Sequence, residues 1–233
     1  NSLGSAGLLP DDSLALISVT GLKDTWDETE DALDLRPTVQ EFEASFGIDI
    51  DRDILGWMTG EVALALLSDN FSLDLGGGLP SAIHALAFFE FSDYRDAEDA
   101  LDNIVDALED LGVPFGDVEI EGEEATMVDL SGVVGETSYS PRFMLLKDYL
   151  VLGTTKDALR AVMEVQNGEE KALLEESAFS RAIEMAPEGK NSLFFLNFKE
   201  LREAIETPLE PVDRDTYRES VFPYVEPLRA FLA

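Results

Sequence analysis

Phe143-Met144-Leu145-Leu146-Lys147-Asp148-Tyr149-Leu150-Val151-Leu152 is the stretch on which the fold class turns. Two apolar runs, each the length of a short strand, flank a single charged pair. A connection that short can only join strands running in opposite directions, because a parallel pair needs a crossover of a dozen or more residues. The same arrangement occurs just upstream, where Val118-Glu119-Ile120 and Ala125-Thr126-Met127-Val128-Asp129-Leu130 flank an acidic turn containing Gly122. Hairpins of this kind argue for an antiparallel sheet.

Helical periodicity brackets the hairpins. Ala97, Leu101, Ile104, Leu108 and Leu111 recur at spacings of four and three, with Asp93 near the start and Gly112 just past the end. Downstream, Thr154 or Thr155 caps a helix carrying Leu159, Val162 and Met163 that ends near Asn167-Gly168. Ser177, Phe179 and Ile183 open a shorter one that Pro187 closes. Upstream, apolar runs over 14–19, 61–67 and 82–91 read as strands, the second as a buried one. Leu22, Trp26 and Leu33 mark a helix, and Pro37 followed by Thr38-Val39-Gln40-Glu41 has capping-box spacing for another that Phe42, Phe46 and Gly47 complete. Asp51 or Asp53 starts a further turn through Leu55, Trp57 and Met58, and Gly76-Gly77-Gly78 with Pro80 marks a hinge or loop. Strands paired as hairpins between helices predict an α+β fold, a mainly antiparallel sheet covered on one face by helices.

The 233 residues suit one large domain or two small ones. Residues 1–10, rich in small side chains, read as a linker or remnant, consistent with removal of an upstream anchor or export signal, and 11–233 as a single α+β domain. Ser13-Leu14-Ala15-Leu16-Ile17-Ser18-Val19, then Leu22-Lys23-Asp24, aligns without gaps on Ser192-Leu193-Phe194-Phe195-Leu196-Asn197-Phe198, then Leu201-Arg202-Glu203. Two ordinary strand-helix units and a true duplication both account for this, and under the second 192–233 begins another related unit. Either way the strand at 193–198 is expected to join the sheet. Phe222, Val225, Leu228 and Leu232 follow a helical stripe, expected to fold back over it.

Composition narrows the partners. Lys and Arg number 16 against 49 Asp and Glu, a net charge of −33, so nucleic acid is disfavoured and anionic membrane surfaces are repelled. Zero cysteines exclude disulfides, thiol nucleophiles and Cys-ligated metals, and weakly favour an extracytoplasmic setting. No run approaches the ~20 apolar residues of a membrane span.

Chemical motifs are sparse. Asp49, Asp51 and Asp53 alternate as at the start of a calcium loop, but Ile54 stands where such a loop turns on Gly and Gly60 where it needs Glu. They are weak metal candidates, with helix capping the simpler role. His84, the only histidine, lies in an apolar run and reads as structural. No Gly-x-Ser-x-Gly elbow is present, and Gly76-Gly77-Gly78 lacks the Gly-Lys-Ser/Thr of a phosphate loop. Trp26, Trp57, Phe42, Phe46 and Phe88-Phe89-Phe91 fall on core periodicities. No catalytic residue and no cofactor are assigned.

Three segments together carry a resemblance: Leu9-Pro10-Asp11-Asp12 before an apolar strand; Phe46-Gly47-Ile48-Asp49 followed by Asp53-Ile54-Leu55-Gly56-Trp57-Met58-Thr59-Gly60-Glu61-Val62-Ala63; and Tyr149-Leu150-Val151-Leu152-Gly153-Thr154 leading into a helix. The chain resembles the domain-of-unknown-function family 3352. The resemblance implies a bacterial protein placed outside the cytoplasm by a membrane anchor upstream, and brings no catalytic residues. The expected function is a non-enzymatic extracytoplasmic binding or structural module with a protein or cell-envelope partner. The alternatives are a calcium-dependent binding protein or a carboxylate-based hydrolase, with a cytoplasmic location as the alternative placement.

Overall fold

The protein, described here by a computed structural model, is defined over residues 3–68, 83–130, 140–185, 191–206, 217–220, 222–225 and 230–232. In chain order its main elements are β1 (Ala15–Thr20), α1 (Leu22–Leu33), α2 (Arg36–Phe46), a wide helical turn (Ile50–Leu55), β2 (Met58–Leu66), β3 (Ala85–Phe91) and α3 (Tyr94–Asp110). Then come β4 (Phe115–Ile120), β5 (Glu123–Val128), β6 (Arg142–Leu146), β7 (Tyr149–Gly153), α4 (Lys156–Gln166), α5 (Ser177–Met185), β8 (Ser192–Asn197), α6 (Phe198–Glu206), α7 (Phe222–Val225) and β9 (Ala230–Leu232). The strands form one sheet in the order β4-β5-β6-β7-β3-β2-β1-β8-β9, antiparallel at every described junction. This is the α+β architecture predicted from the hairpins.

Both predicted hairpins are present. The β4–β5 turn places Glu121 and Gly122 at φ 51° and 89°, the left-handed pair that matches strand twist in a two-residue connection. Helix ends follow the sequence in most places. Asp93 caps α3 by accepting from the Arg95 and Asp96 N–H groups, Thr155 caps α4 through the Ala158 N–H at 3.1 Å, and Gly47 ends α2 at φ 70°. The capping box at Thr38 does not form. α2 begins two residues earlier, at Arg36, with Pro37 in its first turn, where the missing N–H is no loss.

Strand alternation splits the side chains into two layers. On one face Leu16, Ala63, Leu86, Phe88, Met144, Val151 and Phe195 meet Leu159, Val162 and Met163 of α4 and Phe179 of α5. On the other, Phe91, Phe143 and Leu150 meet Ala97 and Ala100 of α3, with Trp57 beside them. Helices therefore cover both faces, α3 lying on the second over the β3, β7 and β6 end, where one-face coverage was expected. The reason is that Phe91, Phe143 and Leu150 make that side apolar too.

Three further expectations change. The segment read as a linker is core from its early residues on: Ala6, Leu8 and Leu9 are buried with the main cluster, because small and apolar side chains there seat a 3-10 turn, Ser5–Gly7, against Leu173 and the sheet. The expected helix over 217–232 is helical at 217–220 and at Phe222–Val225 but ends in β9, where 230–232 pair with β8 instead. β2 is buried on one face only, since Leu64 is 54% exposed. The predicted loop at Gly76-Gly77-Gly78 lies outside the described residues. The strand expected at 193–198 does join the sheet, beside β1.

Candidate functional site

The three alternating aspartates do not converge. Asp49 caps the wide turn, its Oδ1 accepting from the Arg52 N–H at 2.8 Å. Asp53, buried, accepts from Arg52 Nε and Nη2 at 2.6 and 2.7 Å and from the Asp49 N–H at 2.9 Å, and its backbone carbonyl takes the Trp57 indole N–H at 2.8 Å. The Arg52 guanidinium holds the Asp53 carboxyl below the usual range against the opposing effect of burial. Asp51 is exposed. Asp49 thus caps the turn, Asp53 is paired inside it and Asp51 faces solvent, and among the described residues no three acidic or histidine side chains gather as a metal site. His84 is buried at the start of β3 and its carbonyl accepts from the Leu67 N–H.

The most concentrated polar chemistry surrounds Glu61, which was read only as part of a buried strand. Its residue number has the parity of Ala63, Ala65 and Leu67, so a strand places it inward with them, and it is fully buried. Oε1 accepts from the hydroxyls of Ser5 and Ser18 at 2.8 and 2.6 Å, and Oε2 from the Ser5 N–H and the Tyr149 hydroxyl, both at 3.0 Å. Four neutral donors from the N-terminal turn, β1 and β7 thus hold one carboxylate of β2. Burial pushes the Tyr149 phenol up, and the neighbouring Glu61 charge pushes it further, so it stays a donor. Two glycines make room. A side chain at Gly4 would collide with the Tyr149 hydroxyl, and one at Gly60 with the Glu90 carboxylate, which accepts from the Glu61 N–H at 2.6 Å. With no exposed surface, Glu61 can order four segments but cannot meet a substrate.

Two features of the described residues face solvent. An acidic groove of about 700 Å³ runs between the N-terminal turn and the loop after α4, lined by Gly7, Asp11, Glu169, Glu170, Lys171 and Glu175 among others. On the sheet face that α3 leaves open, Ile17, Leu64 and Phe231 are 44%, 54% and 48% exposed. Leu64 lies opposite Ile17, Ile17 opposite Phe194, and Phe231 opposite Leu196, so the rows are continuous across β2, β1, β8 and β9.

A family-level sequence match, described as protein of unknown function (DUF3352), spans residues 4–230. The chain belongs to the DUF3352 family. No curated protein and no solved structure matched it. The DUF3352 match begins at Gly4, one residue before the N-terminal turn that bonds Glu61, and the segments that carried the resemblance include Glu61 and Tyr149, two members of that network. The DUF3352 segment Phe46–Asp49 and Asp53–Met58 is the α2 end and the Asp53 turn. Sequence reasoning named the Asp53 turn as a metal candidate and passed over Glu61, whose parity with Ala63 and Ala65 was the available signal.

Proposed function

We propose that this DUF3352 chain is a non-enzymatic binding module of a bacterial cell-envelope protein, held outside the cytoplasm by a membrane anchor and engaging a protein partner through its open sheet face. The carrying observation is that face. In a chain with 49 acidic residues, the outward positions of adjoining strands hold Ile17, Leu64, Leu196 and Phe231, with no charge among them. An apolar surface of this kind is costly to keep in water and marks interaction sites. The extracytoplasmic placement is supported by the cysteine-free composition and by the anchoring that the family resemblance implies. No helix among the described residues is long and apolar enough to cross a membrane.

The test is the double variant Ile17→Asp with Leu64→Asp, whose side chains point to solvent. It is expected to fold, with circular dichroism unchanged, and to lose the envelope proteins that cross-link to the unmodified protein in cells. Retention of the same cross-linked partners would overturn the reading.

A further inference from the structure

β1 and β2 are neighbours in the sheet, yet the chain between them is no short turn: it carries α1 and α2 as a helical hairpin. Among the described side chains of the two helices only Glu30 is buried, and its carboxylate faces Arg36 of the same hairpin at 3.4 Å. α2 buries no residue. Its apolar side chains are nevertheless aligned: Val39, Phe42 and Phe46 recur at spacings of three and four, and the two rings stand 4.6 Å apart. Phe42, Phe46 and Leu33, the last residue of α1, are exposed. A helix of 11 residues is marginal in water without a surface to cover such a stripe.

The strands at the foot of the hairpin carry a matching surface. Ile17 of β1 and Leu64 of β2 lie opposite each other on the open face. Two glycines in the left-handed region join the hairpin to the rest of the chain, Gly21 at φ 71° and Gly47 at φ 70°, and a Cβ at either would meet nothing within 4 Å. Both glycines therefore answer a demand of the backbone and not of packing, and both can turn without a steric penalty. Beyond Gly47, Glu43 Oε1 accepts from the Ile50 N–H at 3.1 Å, a bond that holds α2 to the wide turn. Reach is sufficient. From Gly21 back along β1 to Ile17 is about 13 Å and α1 is about 18 Å long, so a hairpin folded back at Gly21 sets Leu33 and the start of α2 past Ile17.

We infer that the α1–α2 hairpin is a lid for the open face: pivoting at Gly21 and Gly47, it lays Leu33 and the Val39, Phe42 and Phe46 stripe on Ile17 and Leu64, and the partner binds only when the lid has moved aside. This rests on the binding-module reading, since it regulates the same face. Charge sets the balance. The hairpin holds eight acidic side chains against Lys23 and Arg36, in a chain of −33, so repulsion keeps the lid off at low salt and screening lets it close.

The chain has no cysteine, so nitroxide labels on Gln40→Cys in α2 and Glu109→Cys near the end of α3, both exposed, report one distance without background. Double electron–electron resonance is expected to show two distances, the shorter gaining population between about 0.05 and 1 M salt. Phe42→Ser with Phe46→Ser, or Ile17→Asp with Leu64→Asp, should remove the shorter one while circular dichroism stays unchanged. Phe42→Ser with Phe46→Ser should also raise the yield of cross-linked partners roughly threefold or more, because no closed fraction is then subtracted from binding. A single distance indifferent to salt and to both pairs of substitutions, or an unchanged yield, would overturn the proposal. If the distance stays single while Ile17→Asp with Leu64→Asp still loses its partners, the lid falls and the face stands; if two distances appear but that variant keeps its partners, both readings fall.

Discussion

Glu61 shows how much one buried carboxylate can organise when its donors come from distant parts of the chain. Replacing it with Ala leaves the Ser5 N–H and three hydroxyls without their acceptor, at a cost of about 3 kcal/mol or more. Glu61→Gln is expected to cost less, about 1–2 kcal/mol, because its remaining carbonyl can serve the Ser5 N–H while the serine hydroxyls rotate to accept from its amide. Urea unfolding of both variants checks the order, and a more damaging Gln would contradict this account. Asp53 provides the pH-dependent case. Its carboxyl is held below the ordinary value, so the stabilisation is complete above about pH 4 and is lost as pH falls through the depressed value. Asp53→Asn should therefore unfold at lower urea than the parent at pH 7, by about 1–3 kcal/mol, with the gap narrowing below pH 4. A gap that widens in acid would show that the Arg52 bond is not its source.

The N-terminal turn is the element whose importance the sequence concealed. Deleting residues 1–10 strips Leu8 and Leu9 from the core and two bonds from Glu61, a loss of about 5 kcal/mol, or roughly 10–20 °C in melting temperature for a chain of this length. Calorimetry of the truncated protein measures it directly, and a fall under a few degrees would restore the linker reading. The hairpins and α3 were legible because their signals are local: a short turn, an apolar spacing, a capping Asp. The Ser5 turn was not, since Gly4, Ser5 and Gly7 have no periodicity and gain meaning only from Glu61 and Leu173, far along the chain. β9 failed for a different reason. Phe222, Val225, Leu228 and Leu232 do suit a helix, but the β8 edge competes for 230–232, and that edge exists only after the sheet has assembled. Among candidate site residues, Asp49 caps the turn that Asp51 or Asp53 was expected to start, and Asp53 lies buried inside it against Arg52, whereas the open apolar face was hidden inside runs that looked like ordinary core.

Summed charge sets how the folded chain meets its solution. At −33, mutual repulsion opposes compactness, so added salt should raise the melting temperature smoothly. Calcium and sodium at matched ionic strength should act alike to within a few degrees. A sharp, stoichiometric transition with calcium alone, followed by thermal shift, would bring back the calcium-binding alternative. The β1–β8 junction bears on how such a chain reaches its fold. Ile17 and Phe194 are 177 residues apart in sequence, and bringing ends together over that distance costs about 4–5 kcal/mol of chain entropy. During synthesis the β1 edge must wait, open, until β8 has been made. A hydrophobic strand left unpaired that long is exposed to the wrong partners, so β1 to β7 must hold together as an unfinished sheet or be shielded by a chaperone.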